Sequence, residues 1–270
     1  MTDNIISAAG IKPFLQAPVM AENIRVYEIL DSTNREAKDR ALNKAVYGTV
    51  IIAESQTQGR GRFDRAFFSP PGGGLYMSFI LFPGIMGFSN PHVITAYAAV
   101  CVCEAIEGVC GMKPSVKWVN DIFLNNKKIC GILAEAITDP ESRDAGRIIL
   151  GIGINVSTKT GDFPGDLRQY ASSLYPDGSP QISRNLLAAN IINRILAADR
   201  PCEAEIFEQY KKRLFMLGSE VTVIQGKDQY TAKALDIDGD GRLLVKTGGG
   251  EIRALMSGEV RVKNKNMRGV

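Results

Sequence analysis

The sequence predicts an α+β chain in which a larger domain of strands and helices is followed by a small β-barrel. Three observations carry that expectation. Runs rich in β-branched and aromatic residues, such as "GTVIIAES" at 48–55 and "LYMSFILF" at 75–82, are interleaved with segments of helical periodicity. After Leu217 the texture changes to short alternating strands with a glycine turn roughly every ten residues, the pattern of a small barrel. A chain of 270 residues, 45% hydrophobic and 23% charged, needs no disulfide or metal staple, because it can bury roughly 75% of its unfolded surface.

Taken in order, residues 1–23 show weak periodicity, hold Pro13 and Pro18, and read as a loosely ordered lead-in. "RVYEILDSTNREAKDRALNK" (25–44) passes from a strand into a helix, with Thr33 and Glu36 at the spacing of a capping box. The two strands quoted above flank an arginine- and glycine-rich loop. A helix is expected from about His92 to Val109, then strand-like runs "SVKWVNDIFL" (115–124), "KKICGILAEAI" (127–137) and "RIILGIGINVS" (147–157). The turn-forming "NNKK" makes the first two of these a hairpin. Helices at "SRNLLAANIINRILAAD" (183–199) and "CEAEIFEQYKKRLF" (202–215) complete the larger domain. The expected divisions are a lead-in at 1–23, a main domain at 24–217, a barrel at 218–263 and a basic tail at 264–270.

Composition excludes several classes. A net charge of +3 is too small to imply nucleic-acid binding by itself. Five cysteines (101, 103, 110, 130 and 202) are an odd number without C-x-x-C spacing, which suits reduced thiols in the cytoplasm. The N-terminus lacks the basic and apolar blocks of a signal peptide. "VITAYAAVCVCEAI" (93–106) is broken by Glu104 and reads as a buried helix, so no membrane association is expected. One histidine, His92, argues against a Ser-His-Asp hydrolase and a histidine-rich zinc site.

The chemistry-bearing stretch is "ESQTQGRGRFDRAFFSPPGGG" (54–74). Glycine lets a main chain approach a ligand closely, and arginine offers a planar fork that matches phosphate or carboxylate oxygens. Alternation points Arg60 and Arg62 the same way, with Arg65 reaching in from further along. The plain alternative is a solvated loop; the alternating glycines and the flanking "SPPGGG" favour a mobile lid over an anion. There is no Walker motif, and no G-x-G-x-x-G follows a strand, so a phosphate site must be of another type. Lys117, Asn120, Asp121 and Lys128 place charge and an amide on an otherwise apolar hairpin, which reads either as a functional cluster or as a charged tip in water. "DIDGDG" (236–241) imitates half of an EF-hand loop, but Thr247 stands where the bidentate glutamate belongs, and a β-turn is the better reading. The cysteines and Trp118 read as packing residues.

Together these pieces resemble the biotin–protein ligase family. The matching segments are "DSTN" (31–34), "ESQTQGRGR" (54–62), "FFSPPGGGLYMS" (67–78), "VKWVNDIFLNNKKICGIL" (116–133), "GIGINV" (151–156) and "SGEV" (257–260), in family order over most of residues 24–262. The resemblance implies a mixed-sheet catalytic domain of the biotin/lipoate ligase superfamily with an SH3-like barrel, in the form without an N-terminal DNA-binding domain. It implies two half-reactions: biotin and ATP, the latter with Mg²⁺, form biotinyl-5′-AMP, and a lysine of a biotin carboxyl carrier domain then takes the biotin. Carried over by position, Ser32, Thr33, Asn34, Gln56, Arg60, Gly61, Arg62 and Lys128 hold biotin. Arg60, Arg62, Arg65, Phe67, Lys117, Asn120, Lys128 and Asn155 face the nucleotide, and no metal site of protein ligands alone is implied. Lys128, Arg60, Arg62 and Lys117 would neutralise the reacting anions, and Asp121 would attend the incoming lysine. This chain departs from the family pattern at Asp64 (often Gly), Phe67 (often Trp) and Val119 (often Pro). The alternatives are a lipoate–protein ligase and, from another class, a biotin-responsive repressor that binds DNA. Monomer and homodimer both stay open.

Overall fold

The computed structural model describes residues 5–43, 45–88, 91–137 and 146–262; the expected basic tail at 264–270 lies outside them. A parallel pair opens the main sheet: strand β1 (Ile24–Leu30) crosses through helix α1 (Thr33–Leu42) to β2 (Val50–Gln56). Strands β3 (Gly74–Leu81), β4 (Ser115–Lys117), β5 (Asp121–Leu124), β6 (Lys127–Ile137) and β7 (Arg147–Asn155) add antiparallel to give the order β1-β2-β3-β7-β6-β5-β4. The sheet is therefore mixed.

Its two faces are used differently, because side chains alternate along each strand. The back face carries Val50, Ile52, Met77, Phe79, Leu150, Ile152 and Ile154, all buried, against helix α2 (Pro91–Cys110). Helices α3 (Arg184–Ile195) and α4 (Glu203–Arg213) pack on the far side of α2. That enclosure explains why α2 is long and apolar enough to cross a membrane yet lies in the core; each fully buried aliphatic side chain contributes about 1.5–3 kcal/mol there. The front face is half covered. Ala37 and Ala41 of α1 seal Ile51, Ile80 and Ile149, and the rest stays open for the site described below.

The chain then forms β8 (Glu220–Gln225), β9 (Asp228–Ile237), β10 (Leu243–Thr247), β11 (Ile252–Leu255) and β12 (Glu259–Val262), antiparallel in the order β11-β10-β9-β8-β12, as a small barrel requires. The "DIDGDG" segment is a tight β9–β10 connection. The Asp238 carboxylate accepts from Asp240 N (3.0 Å), Arg242 N (2.9 Å) and Arg242 Nε (2.7 Å). Gly241, at φ +78°, closes it and receives the Trp118 indole N–H on its carbonyl at 3.1 Å.

Three local expectations differ from the structure. The run 115–124 is not one strand but two, β4 and β5, joined by a turn at 118–120 that contains a cis Trp118–Val119 peptide. The turn forms because Trp118 is drawn toward the barrel while Asn120 bonds β6, its Nδ2 to Ile132 O at 2.8 Å. The capping box at α1 does not form. Ser32 occupies the N-cap with no side-chain cap bond, Glu36 is taken by Tyr27 and Arg40, and Thr33 turns to Gln56. Residues 5–23 are packed rather than loose: Ile6, Ile11 and Leu15 are buried, and Asn185 and Asn193 of α3 bond the backbone at Ile5, Ser7, Phe14 and Gln16. Beyond "NNKK", where Asn125 and Asn126 take φ +50° and +64°, the β5–β6 hairpin is as expected.

Candidate active site

The open half of the front face is cleared by small residues. Register places Ser78 opposite Gly151, and Gly153 opposite both Tyr76 and Gly131. A Cβ on Gly153 would lie 2.7 Å from the Phe67 ring, and one on Gly131 would lie 3.2 Å from it. At Gly151 it would overlap the Asn34 amide, with Cγ at 2.9 Å. The glycines thus let Phe67 and the start of α1 descend onto the sheet, leaving a cavity of about 450 Å³ between them.

One end of this cavity is a neutral hydrogen-bonding pocket. Gln56 Oε1 accepts from Thr33 N (2.8 Å) and lies 3.1 Å from Thr33 Oγ1. Gln56 Nε2 donates to Ser69 Oγ at 2.9 Å. The Ser78 hydroxyl, fully buried, donates to Asn34 Oδ1 at 2.6 Å and lies 2.8 Å from Thr33 Oγ1. Asn34 Nδ2 donates to Glu135 at 2.7 Å. Ser32, Thr33 and Asn34 are nearly inaccessible.

The other end is cationic. Lys117 is 8% exposed and lies over the Phe123 ring at 5.8 Å. Desolvation pushes its pKa down against the pull of Asp121 and Glu259. Arg62 donates to Asn120 Oδ1 at 3.2 Å, and burial depresses it too, despite Asp121. Lys128 Nζ is 2.7 Å from Asp121 Oδ1, an ion pair between two partly exposed side chains. Arg60 is half exposed, 3.6 Å from Asp64 and 3.8 Å from Glu135. Arg65 pairs with Glu259 of β12, bringing the barrel to the rim. Burial alone would raise Glu259, but hydrogen bonds from Arg261 and Arg65 hold its carboxyl below the ordinary value.

The arginine loop is a miniature hairpin. Gly61 N bonds Arg65 O at 2.7 Å, Phe67 N bonds Gly59 O at 2.8 Å, and Phe63 and Asp64 both sit at φ +56° at its tip. Asp64, where glycine is frequent in the motif, holds a left-handed conformation that costs a residue with a Cβ about 1 kcal/mol or more, and pairs with Arg60. The expected lid at 59–74 is anchored at its far end. Arg184, 3% exposed, bonds Gly74 O at 2.9 Å and pairs with Glu54 at 2.9 Å, while Glu54 accepts from Gly72 N at 2.7 Å. The tip itself is held through side chains, Arg62 to Asn120 and Arg65 to Glu259.

Ser32, Thr33, Asn34, Gln56, Arg60, Gly61, Arg62, Arg65, Phe67, Lys117, Asn120, Asp121 and Lys128 all line the one cavity. Asn155 does not: it ends β7, its Nδ2 donates to Ser172 O at 3.0 Å, and its buried Oδ1 has no protein partner. Sequence reasoning missed the glycine floor as a floor, although the alternation in "GIGIN" signals a strand face kept clear. It also missed Ser78 and Glu135, which carried no signal. Among the described residues no group of three or more His, Cys, Asp or Glu is placed to hold a metal. Chemically, the cavity suits a ligand with a neutral polar head at one end and anionic groups at the other.

Comparison with known proteins agrees with this geometry. Residues 26–155 match the biotin/lipoate A/B protein ligase family, and residues 216–262 match the biotin protein ligase C-terminal domain. The chain is similar to the bifunctional ligase/repressor BirA of Bacillus subtilis, 33% identical over 95% of this chain and 79% of that protein. It is similar to the biotin–[acetyl-CoA-carboxylase] ligase of Mycobacterium tuberculosis, 29% identical over 81% of each. Among solved structures, a biotin protein ligase from Aquifex aeolicus in complex with biotin and ATP aligns with a TM-score of 0.75 and 30% identity, covering 90% of this chain and 99% of that one.

Proposed function

The chain belongs to the biotin/lipoate A/B protein ligase family, and from that premise we propose that it activates biotin as biotinyl-5′-AMP and transfers it to a lysine of a biotin carboxyl carrier domain in the cytoplasm. The observation that carries this reading is the convergence of the neutral pocket and the cations Arg60, Arg62, Lys117 and Lys128 on one cavity. The match to a biotin-ligase C-terminal domain favours biotin over lipoate.

In the first step a biotin carboxylate oxygen attacks the α-phosphorus of ATP. The bond to the β-phosphate oxygen breaks, and pyrophosphate leaves. Two anions must meet, so the barrier is largely electrostatic. Arg62 and Lys117, desolvated before any ligand arrives, stabilise that charge without reorganisation, and one such donor is worth about 3–4 kcal/mol. Ser32, Thr33, Asn34 and Gln56 hold the biotin head, and Phe67 covers the adenylate. Mg²⁺ enters with ATP as part of the substrate. The donor set fits that role: Asp121 and Glu259 line the cavity, among the described residues no group of three or more His, Cys, Asp or Glu could cage a metal, and Mg²⁺ keeps waters and phosphates as its main ligands.

In the second step the carrier lysine attacks the acyl carbon and AMP leaves. The amine must be neutral, although free lysine titrates near 10.4. Asp121 lines the cavity, and in this reading it orients the ammonium and helps take its proton. The hairpin tip at 60–66 shields the anhydride between steps. The test is pyrophosphate release from radiolabelled ATP with biotin, lipoate or neither, alongside calorimetric titration of both acids. Release that depends on biotin alone is expected; release without biotin, or with lipoate preferred, refutes the reading.

A further inference from the structure

We propose that Glu135 is a positioning residue that ties the floor of the biotin pocket to the lid above it. This rests on the ligase reading. Glu135 lies on β6, on the same strand face as Gly131, yet it is not part of the cavity wall. Its two oxygens do different things. Oε2 accepts from Asn34 Nδ2 at 2.7 Å, and Oε1 stands 3.8 Å from Arg60 Nη1.

The first contact sets the orientation of an amide. Asn34 can present either its oxygen or its nitrogen to Ser78, and the two ends of the amide would exchange on a flip. With Glu135 accepting, the NH₂ is drawn to β6 and the oxygen must face Ser78, which donates to it at 2.6 Å. Ser78 in turn touches Thr33, which bonds Gln56, so the orientation of the whole neutral pocket depends on one carboxylate. The second contact brings the guanidinium of the lid to the same carboxylate that holds Asn34. Asp64 competes for Arg60 from 3.6 Å, but its side chain is 95% exposed and offers little anchorage. Glu135, about one-third exposed and fixed in a strand, is the stronger anchor.

Because the two oxygens are separable in function, two variants separate them. Glu135→Gln keeps an acceptor for Asn34 but removes the charge that holds Arg60; Glu135→Ala removes both. Biotin affinity should fall in steps, about threefold for Gln and about tenfold or more for Ala, since a charged acceptor is roughly twice as strong as a neutral one. Escape of biotinyl-AMP from the enzyme should rise equally in both. High salt should make the wild-type leak approach that of the variants, because the Arg60 contact is partly exposed and screened.

The experiment measures biotin affinity by calorimetry and released adenylate by thin-layer chromatography, with wild type, both variants and Glu135→Asp. Graded affinity with equal leak supports the proposal. Wild-type affinity and retention in Glu135→Ala overturn it, as do equal losses of affinity in Gln and Ala that track a common fall in Tm. Should Glu135→Ala fail to fold, Gln against Asp makes the same comparison, because Asp keeps the charge but shortens its reach. If wild type itself releases no biotin-dependent pyrophosphate, the ligase reading falls; if it does and the variants match it, this inference alone falls.

Discussion

Replacing Gly151 by alanine tests whether the glycine floor exists for the ligand or for the fold. Gly151 is in β7 with an ordinary extended backbone, so alanine costs nothing in φ and should favour a strand by roughly 0.5–1 kcal/mol. The added methyl, however, would overlap Asn34 Oδ1 and sit 2.9 Å from Cγ and 3.0 Å from Nδ2. Ordinary packing contact is about 3.5–4.0 Å, so Asn34 must retreat by roughly 1 Å. It cannot do so without lengthening its bonds to Ser78 and Glu135, at 2.6 and 2.7 Å. Overpacking of this kind costs about 1–3 kcal/mol, and the strand gain offsets only part of it. Function should suffer more than stability, since a misplacement near 1 Å costs on the order of a hundredfold in rate. Thermal unfolding should show a modest fall in Tm, while calorimetry shows biotin affinity down at least tenfold. Gly151→Ala/Asn34→Ala should recover the Tm and not the affinity. Wild-type biotin binding by Gly151→Ala would refute the claim that the floor is cleared to seat Asn34.

Arg62→Ala should slow adenylate formation by about 10²–10³-fold, read as pyrophosphate exchange, with little loss of Tm, because burial disfavours the charge it removes. Asp238→Ala should cost about 1–3 kcal/mol, since the turn loses three hydrogen bonds to one carboxylate. Burial would raise that carboxyl, yet the bonds to Arg242 and Asp240 hold it below the ordinary value. Its stabilisation is therefore present above the unfolded carboxylate pKa near 3.9 and lost as pH falls through the folded value, so the variant's Tm should decline less steeply from about pH 5 to pH 2. A thiol reagent at neutral pH should label one cysteine in the native protein, Cys202. Cys101 and Cys103 are buried with thiols pushed up to about 12, and burial also raises Cys110 and Cys130. Mass spectrometry locates the adduct, and rapid labelling of Cys103 would contradict the packing of α2.

What the sequence made legible depended on whether the determinants were local. The Arg/Gly loop, the α2 core helix and the "NNKK" turn are each specified by a few adjacent residues, and each lies where expected. The capping box was misread because Thr33 has two possible partners, and Gln56, 23 residues away, wins over the adjacent backbone. The 5–23 segment looked loose because its apolar residues, Ile6, Ile11 and Leu15, are too few to show a period; asparagines of α3 about 180 positions away hold it. Glu135 was invisible for a related reason. A glutamate in a strand reads as a solvated side chain until the fold brings Asn34 and Arg60 to it.

The pairing of charges around the cavity bears on the order of the two proposed steps. Lys128 is paired with Asp121, Arg60 lies near Glu135 and Asp64, and Arg65 is paired with Glu259. Among the described ion pairs Arg62 and Lys117 take no part, and these are the two cations that burial depresses. An arriving phosphate therefore finds two cations whose desolvation Asp121 and Glu259 relieve only in part, and these supply the net attraction. With the others it must exchange for a carboxylate already in place, which gains less. That exchange has a consequence for Asp121. While Lys128 holds it at 2.7 Å, the carboxylate is engaged with a cation of the protein rather than with an incoming amine. On the proposed mechanism, Lys128 turning to the adenylate phosphate would release Asp121 to orient an ammonium. In the proposed mechanism this would couple the acceptor step to formation of the mixed anhydride, through one lysine that cannot serve both anions equally.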